Sequence, residues 1–175
     1  IYLVASAAMD SFAQLDAVGS IRFSGRKESD WYIEQAREAM NAGDMLYAGK
    51  YSEPDYELIL SQGCDLVLEN TMIYHSPEVI EQFETLGIPV LVEMSSYESE
   101  PFGRMEWVKL YGALVGKEDE AEALFDEKMD SVSGILGAAP TGKTVTFFYV
   151  TSNGAVNVRK STDYVAKSIA MAGGE

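Results

Sequence analysis

Apolar positions along the chain fall into short blocks that alternate between strand-like runs and helical periodicity. "IYLVA" (1–5) is a continuous apolar run that predicts a strand. Ser6 stands where an N-cap would, ahead of the helical pattern "AAMDSFAQLDAV" that ends at Gly19. "IRFSG" (21–25) predicts a second strand, and "SDWYIEQAREAMNAG" (29–43) an amphipathic helix with Trp31, Ala36 and Met40 near helical spacing and Gly43 as its stop. "MLYAG" (45–49) is a third strand, "KYSEPD" a loop, and "YELILSQG" a helix. "CDLVLEN" (64–70) is a continuous apolar strand of the kind buried on both faces of a parallel sheet. "SPEVIEQFETLG" (76–87) carries the full set of helix-end signals: Ser76 as N-cap, Pro77 at the first helical position and Gly87 at the stop.

"IPVLVEM" (88–94) predicts the next buried strand. "GRMEWVKLYGALVG" (103–116) and "KEDEAEALFDEKMDSVSGIL" (117–136) predict helices, the second with Ala121, Leu124, Phe125, Val132, Ile135 and Leu136 along one stripe. A β run "TVTFFYVT" (144–151), a turn at Asn153-Gly154 and a helix in "TDYVAKSIAMAGG" follow, as a new strand–helix unit. Strands alternating with helices through 1–116 imply right-handed crossovers and a mostly parallel sheet. The predicted class is α/β: a Rossmann-like parallel-sheet lobe (1–116), a long connecting helix and linker (117–139), and the beginning of a second, truncated α/β lobe (140–175).

"GAAPTGKT" (137–144) satisfies the letters of a phosphate-binding loop. Such a loop must follow a strand and open a helix, so that loop amides and helix N-terminus converge on the phosphates. Here the predicted helix precedes it and the strand follows, and Pro140 removes one amide. The stretch reads as a linker, with no nucleotide chemistry.

Apolar residues make up 47% of 175, enough for a core, while 13 Lys+Arg against 28 Asp+Glu give a net charge of −15. That balance excludes non-specific nucleic-acid binding and docking on an anionic membrane, both of which need clustered cations. The single Cys64 can form neither an internal disulfide nor a cysteine-based metal cluster, and it reads as a small buried hydrophobe. No run reaches the length of a membrane span. The chain opens at Ile1 inside a strand-like run, so it reads as part of a longer protein, and the lack of a leader carries no information on location.

The ordered set of short motifs is more specific than any one of them. Gly49, "DYELIL", "GCDLVLE" and "LGIPVLVE" together resemble the first lobe of bacterial ABC-transporter substrate-binding proteins of the ferric-siderophore, haem and cobalamin type. "LYGALVGKEDEAEALFDEKM" is similar to that family's approach to the single long helix joining its lobes. The opening "IYLVASAAMDSFAQLDAVGSIRFSG" resembles its first strand and helix, and "AGGE" the segment from which members continue into a second lobe. The resemblance implies a non-catalytic receptor outside the cytoplasmic membrane, in the periplasm or as a cell-surface lipoprotein anchored through a lipid outside this chain. It implies an ABC permease and its ATPase subunits as partners, and no cofactor of the protein's own, since the ligand itself carries iron or cobalt. Glu57, in "PDYEL", matches the lobe-one glutamate that is implied to dock on permease arginines.

Open α/β sheets bind ligands beyond the carboxyl ends of their strands. That rule selects Lys50 and Tyr51, then Met72, Tyr74 and His75, then Ser96, Tyr97 and Arg104, with Arg26 and Arg159 as weaker candidates. Aromatic rings beside a few cations suit a ligand with a flat or apolar body and anionic groups, a metal chelate or tetrapyrrole. His75 reads either as an axial ligand to iron or cobalt or as a loop residue bonded to backbone. Tyr51 and Tyr74 read as pocket or surface residues, and Arg104 as a ligand contact or an ion-pair partner of Glu106. No catalytic set and no metal site are readable, with one histidine and one cysteine in the chain. A two-lobed α/β enzyme of the chelatase or metallocluster kind and a stand-alone interaction module are the alternatives.

Overall fold

The computed structural model describes residues 1–136 and 139–175; Gly137 and Ala138, the first two residues of the linker, lie outside the described residues. The strands are β1 (Tyr2–Leu3), β2 (Phe23–Ser24), β3 (Leu46–Tyr47), β4 (Gly49–Lys50), β5 (Glu53–Pro54), β6 (Val67–Glu69), β7 (Val90–Val92), β8 (Phe148–Val150) and β9 (Val156–Val158). The helices are α1 (Met9–Gln14), α2 (Glu34–Ala42), α3 (Tyr56–Gln62), α4 (Pro77–Thr85), α5 (Pro101–Val115), α6 (Glu118–Ser133) and α7 (Tyr164–Met171).

Five strands form one parallel sheet in the order β3-β2-β1-β6-β7. The two-residue period of a strand sends neighbours to opposite faces. Tyr2 and Val67 accordingly enter a core with Phe23, Ile59 and Phe83, under α3 and α4. Leu3 and Leu68 enter a second core with Phe12, Met45 and Tyr111, under α1 and α5. β6 is buried at all three positions, as its continuous apolar run predicts. β7 is only half-buried: it has β6 on one side and, among the described residues, no strand on the other, so it is an edge here and not the doubly covered strand its sequence predicts.

Other differences from the sequence reading have local causes. Ser6 caps nothing; it opens a single 3-10 turn (Ser6–Ala8) that leads into α1. Trp31 lies outside α2, in extended backbone, because its indole N–H donates to the buried Ser24 hydroxyl at 3.1 Å. "KYSEPD" is no open loop: β4 and β5 pair antiparallel through it. Gly49 must be glycine there, with φ of +88° and the Glu53 carbonyl oxygen 2.1 Å from where a Cβ would stand. The run 144–151 forms a strand only over β8, which turns back antiparallel onto β9, while the Val145 N–H donates to the Glu175 carbonyl at 2.7 Å, so a hairpin rather than one strand precedes α7.

α5 and α6 pack closely at Gly112, where a built Cβ would lie 2.4 Å from Ala121 Cβ and 2.7 Å from the Lys117 carbonyl oxygen. Lys117, between the two helices, donates from Nζ to the Leu15 and Asp16 carbonyls at 2.7 and 3.2 Å. On α6 the predicted stripe works only at its start: Ala121 is buried and Leu124 and Phe125 pack on the core, whereas Ile135 and Leu136 follow the helix and are exposed.

Candidate ligand-binding site

Strand order runs from β1 to β2 and β3 in one direction and from β6 to β7 in the other. The loops leaving β1 and β6 therefore diverge and open a crevice beyond the carboxyl ends of the strands. Asn70 spans it. Its Oδ1 accepts from the Met72 N–H at 2.8 Å, capping the 3-10 turn Thr71–His75, and its Nδ2 donates to the Val4 carbonyl at 3.4 Å. Buried Ile73 anchors that turn and leaves Met72, Tyr74 and His75 exposed.

The loop after β7 is fastened from several sides. Glu93 is 3% exposed and accepts the Ser95 N–H at 2.6 Å and the Tyr111 hydroxyl at 3.0 Å. Burial, and then the Glu93 charge, push the Tyr111 hydroxyl well above its usual range. Arg104, on α5, donates from Nε to the Glu98 carbonyl at 3.0 Å and from Nη2 to the Ser96 carbonyl, while its guanidinium stacks 3.7 Å over the Tyr164 ring. The Tyr97 hydroxyl then meets Thr71 Oγ1 at 2.9 Å, joining the β7 loop to the β6 loop.

Between this loop and the start of α7 lies a cleft of about 490 Å³, within the range of small-molecule sites, lined among others by Ser96, Tyr97, Glu98, Arg104, Arg159 and Tyr164. Arg159 Nη1 is 3.4 Å from Asp163 Oδ2, and its guanidinium faces Tyr149 at 5.7 Å. Four sequence candidates, Ser96, Tyr97, Arg104 and Arg159, thus come together. Met72, Tyr74 and His75 share the turn that Thr71 ties to Tyr97. Lys50 and Tyr51 do not line this cleft: Lys50 Nζ is 3.4 Å from Glu53 Oε2, and Tyr51 packs half-buried against the core under α3 and α4. Arg104 bonds to loop carbonyls and not to Glu106, so it is a strut of the site before it is a free cation.

Sequence reasoning missed Glu93, Tyr111 and Tyr164. A carboxylate at the end of an apolar strand was the available signal for Glu93; the other two depend on helix packing that no local pattern encodes. It also missed Glu69, at the carboxyl end of β6, whose two carboxyl oxygens are fully buried without a hydrogen-bond partner among the described residues. Desolvation by burial pushes that carboxyl up to about 8. Among the described residues no three His, Cys, Asp or Glu side chains cluster as metal ligands, and no helix is long and apolar enough to cross a membrane.

Removing the strut has a defined consequence. Hydrogen bonds from a charged donor contribute about 1.5–3 kcal/mol, so Arg104→Ala is expected to cost about 2 kcal/mol of stability. Amide hydrogen exchange at Tyr97 and Glu98 should accelerate more than in the sheet, and an unchanged exchange pattern would deny Arg104 this role.

No protein-family model matches the chain. It is similar to an uncharacterized lipoprotein of Methanocaldococcus jannaschii, at 25% identity over 154 residues, covering 87% of this chain and 37% of that protein. Among solved structures, the periplasmic haem-binding protein HutB of Vibrio cholerae superposes with a TM-score of 0.72 at 17% identity, over 99% of this chain and 63% of its own. A possible iron-binding, periplasmic solute-binding protein of Staphylococcus epidermidis gives 0.72 at 15%, over 99% and 65%. The periplasmic vitamin B12-binding protein BtuF of Vibrio cholerae gives 0.60 at 14%, over 99% and 64%. The chain therefore spans 37% of the curated relative and less than two thirds of these three structures, and it has their α/β fold.

Proposed function

We propose that this chain is the ligand-capturing part of the substrate-binding component of an ABC importer, and that it takes a metal chelate or tetrapyrrole between two lobes for delivery to a permease. One observation carries the reading: on the fold of solute-binding proteins, the cleft beyond the sheet's carboxyl edge gathers Tyr97, Tyr164, Arg104 and Arg159. Tyrosine rings offer flat apolar area, and the two guanidinium groups set donors beside the Glu98 and Asp163 carboxylates of the same lining. In this reading residues 1–116 are the first lobe, 117–139 the connecting helix and linker, and 140–175 the start of the second lobe.

The protein works outside the cytoplasmic membrane and catalyses no reaction. Its iron or cobalt is cargo. Glu57 is the docking residue for the permease, whose ATPase subunits supply the energy. It is exposed in the first turn of α3, which Asp55 fixes by accepting the Leu58 N–H at 2.9 Å. The test is a titration of the full-length protein with haem, cobalamin and ferric siderophores, followed by the fluorescence of Trp31 and Trp107. One class is expected to bind with a Kd below about 10 μM, on the affinity scale of a capture protein. Failure of all three overturns the reading.

A further inference from the structure

The arginines of the described chain are not equally available. Arg22 donates to Gln62 and to the Gly43 and Asp44 carbonyls, Arg37 pairs with Glu28, Arg104 braces the β7 loop, and Arg159 pairs with Asp163. Arg26 alone among them has a guanidinium with no hydrogen-bond or ion-pair partner among the described residues. It is half-buried and lies 5.6 Å over the indole of Trp31, itself 5% exposed.

This pair is held rigidly. Ser24, fully buried at the end of β2, accepts from the Trp31 indole N–H at 3.1 Å and from the Arg26 N–H at 3.0 Å, and donates to the Arg26 carbonyl at 2.7 Å. One hydroxyl thus sets both the aromatic platform and the backbone that carries the cation. Beside them is a cavity of about 190 Å³ lined by Ser6, Arg26, Asp30, Trp31, Tyr32 and Ile33. Ser6 comes from the loop after β1 and Arg26 from the loop after β2, on the same carboxyl edge of the sheet as the cleft. Tyr32 is wholly exposed. A half-buried guanidinium without a protein partner is free to take a ligand, and its planar fork matches a carboxylate or catecholate.

We infer that Arg26, seated on Trp31, is an anion-recognition subsite that receives a carboxylate or catecholate group of the ligand, with Tyr32 as an open aromatic wall. The inference rests on the capture reading above and assigns this role to Arg26 rather than to Lys50, which already has Glu53 as a partner.

The experiment uses the full-length protein carrying Trp107→Phe, which leaves Trp31 as the one tryptophan of residues 1–175, and a Trp31→Phe control subtracts any emission from outside them. The probes are haem and a ferric tricatecholate, both anionic, and a ferric trihydroxamate without net negative charge. Binding of the anionic probe should quench Trp31. Arg26→Ala should weaken that binding at least tenfold, Arg26→Lys should recover part of the loss, and affinity for the trihydroxamate should not change. Circular dichroism of the variants controls for folding. If the parent protein binds an anionic probe and Arg26→Ala binds it equally well, the Arg26 assignment is wrong and the capture reading survives. The assignment also falls if Arg26→Ala weakens charged and uncharged probes alike. If no probe binds the parent protein, the capture reading and the subsite fall together.

Discussion

Urea unfolding of the wild-type protein is expected to become progressively easier as the pH rises from about 5 to about 9, and Glu69→Gln is expected to remove most of that slope. The folded-state carboxyl sits at about 8 against an ordinary 4.5, because burial at the end of β6 disfavours its charged form and the Asn70 backbone N–H offsets this only in part. Between those values the unfolded chain has released the proton and the folded chain still holds it. The folded state therefore binds more protons, and stability falls with rising pH until the carboxyl ionises in both states. At about 1.4 kcal/mol per pH unit the loss is as much as about 5 kcal/mol, a large share of a typical domain's stability. The amide of Gln cannot ionise, so the variant should match wild type near pH 5 and exceed it near pH 9. A His75→Gln background removes the only histidine from the comparison. Parallel slopes for wild type and Glu69→Gln would show that Glu69 has a partner in solution.

Gly112→Ala tests the close contact between α5 and α6, with two effects of opposite sign. Helix propensity alone favours alanine over glycine by about 1 kcal/mol in a helix interior. Against that, the new methyl would stand 2.4 Å from Ala121 Cβ and 2.7 Å from a backbone oxygen, which cannot rotate away. Overpacking of this kind costs about 1–3 kcal/mol, and more where backbone must move. A net loss of about 2 kcal/mol is expected, measured by chemical denaturation. Ala121→Gly in the same chain should restore only part of it, because the Lys117 carbonyl remains in the way. A more stable Gly112→Ala protein would mean that α5 and α6 separate freely there. Since α5 also carries Arg104 and Tyr111, the variant should loosen the β7 loop as well.

Most of the sheet was legible because its strands are continuous apolar runs and its helices carry explicit stops at Gly43, Gly63, Gly87 and Gly116. Where reading failed, a distant partner overrode local pattern. Trp31 has helical spacing, but Ser24 takes its indole and holds the backbone extended. β7 has the composition of a buried strand, yet only the order of pairing reveals it as an edge. Tyr97, Arg104 and Arg159 were readable as candidates from chain order and residue type. Their convergence was not, since it depends on where α7 lies against α5. Lys50 illustrates the converse: its loop position suggested a free cation, and the hairpin that forms there supplies Glu53 instead.

The links across the mouth of the cleft differ in strength. Arg104 grips two carbonyls of the β7 loop and the face of Tyr164 at once, and Lys167 on α7 also reaches Glu100. The tie between Tyr97 and Thr71 is a single bond between neutral hydroxyls. Prying the loop from α7 would break several charge-assisted contacts; parting Tyr97 from Thr71 would break one neutral bond. The mouth therefore yields like a hinged cover, stiff along the Arg104 seam and loose along the tyrosine seam, so a bulky guest would turn the Tyr97 side chain aside before it shifted α7.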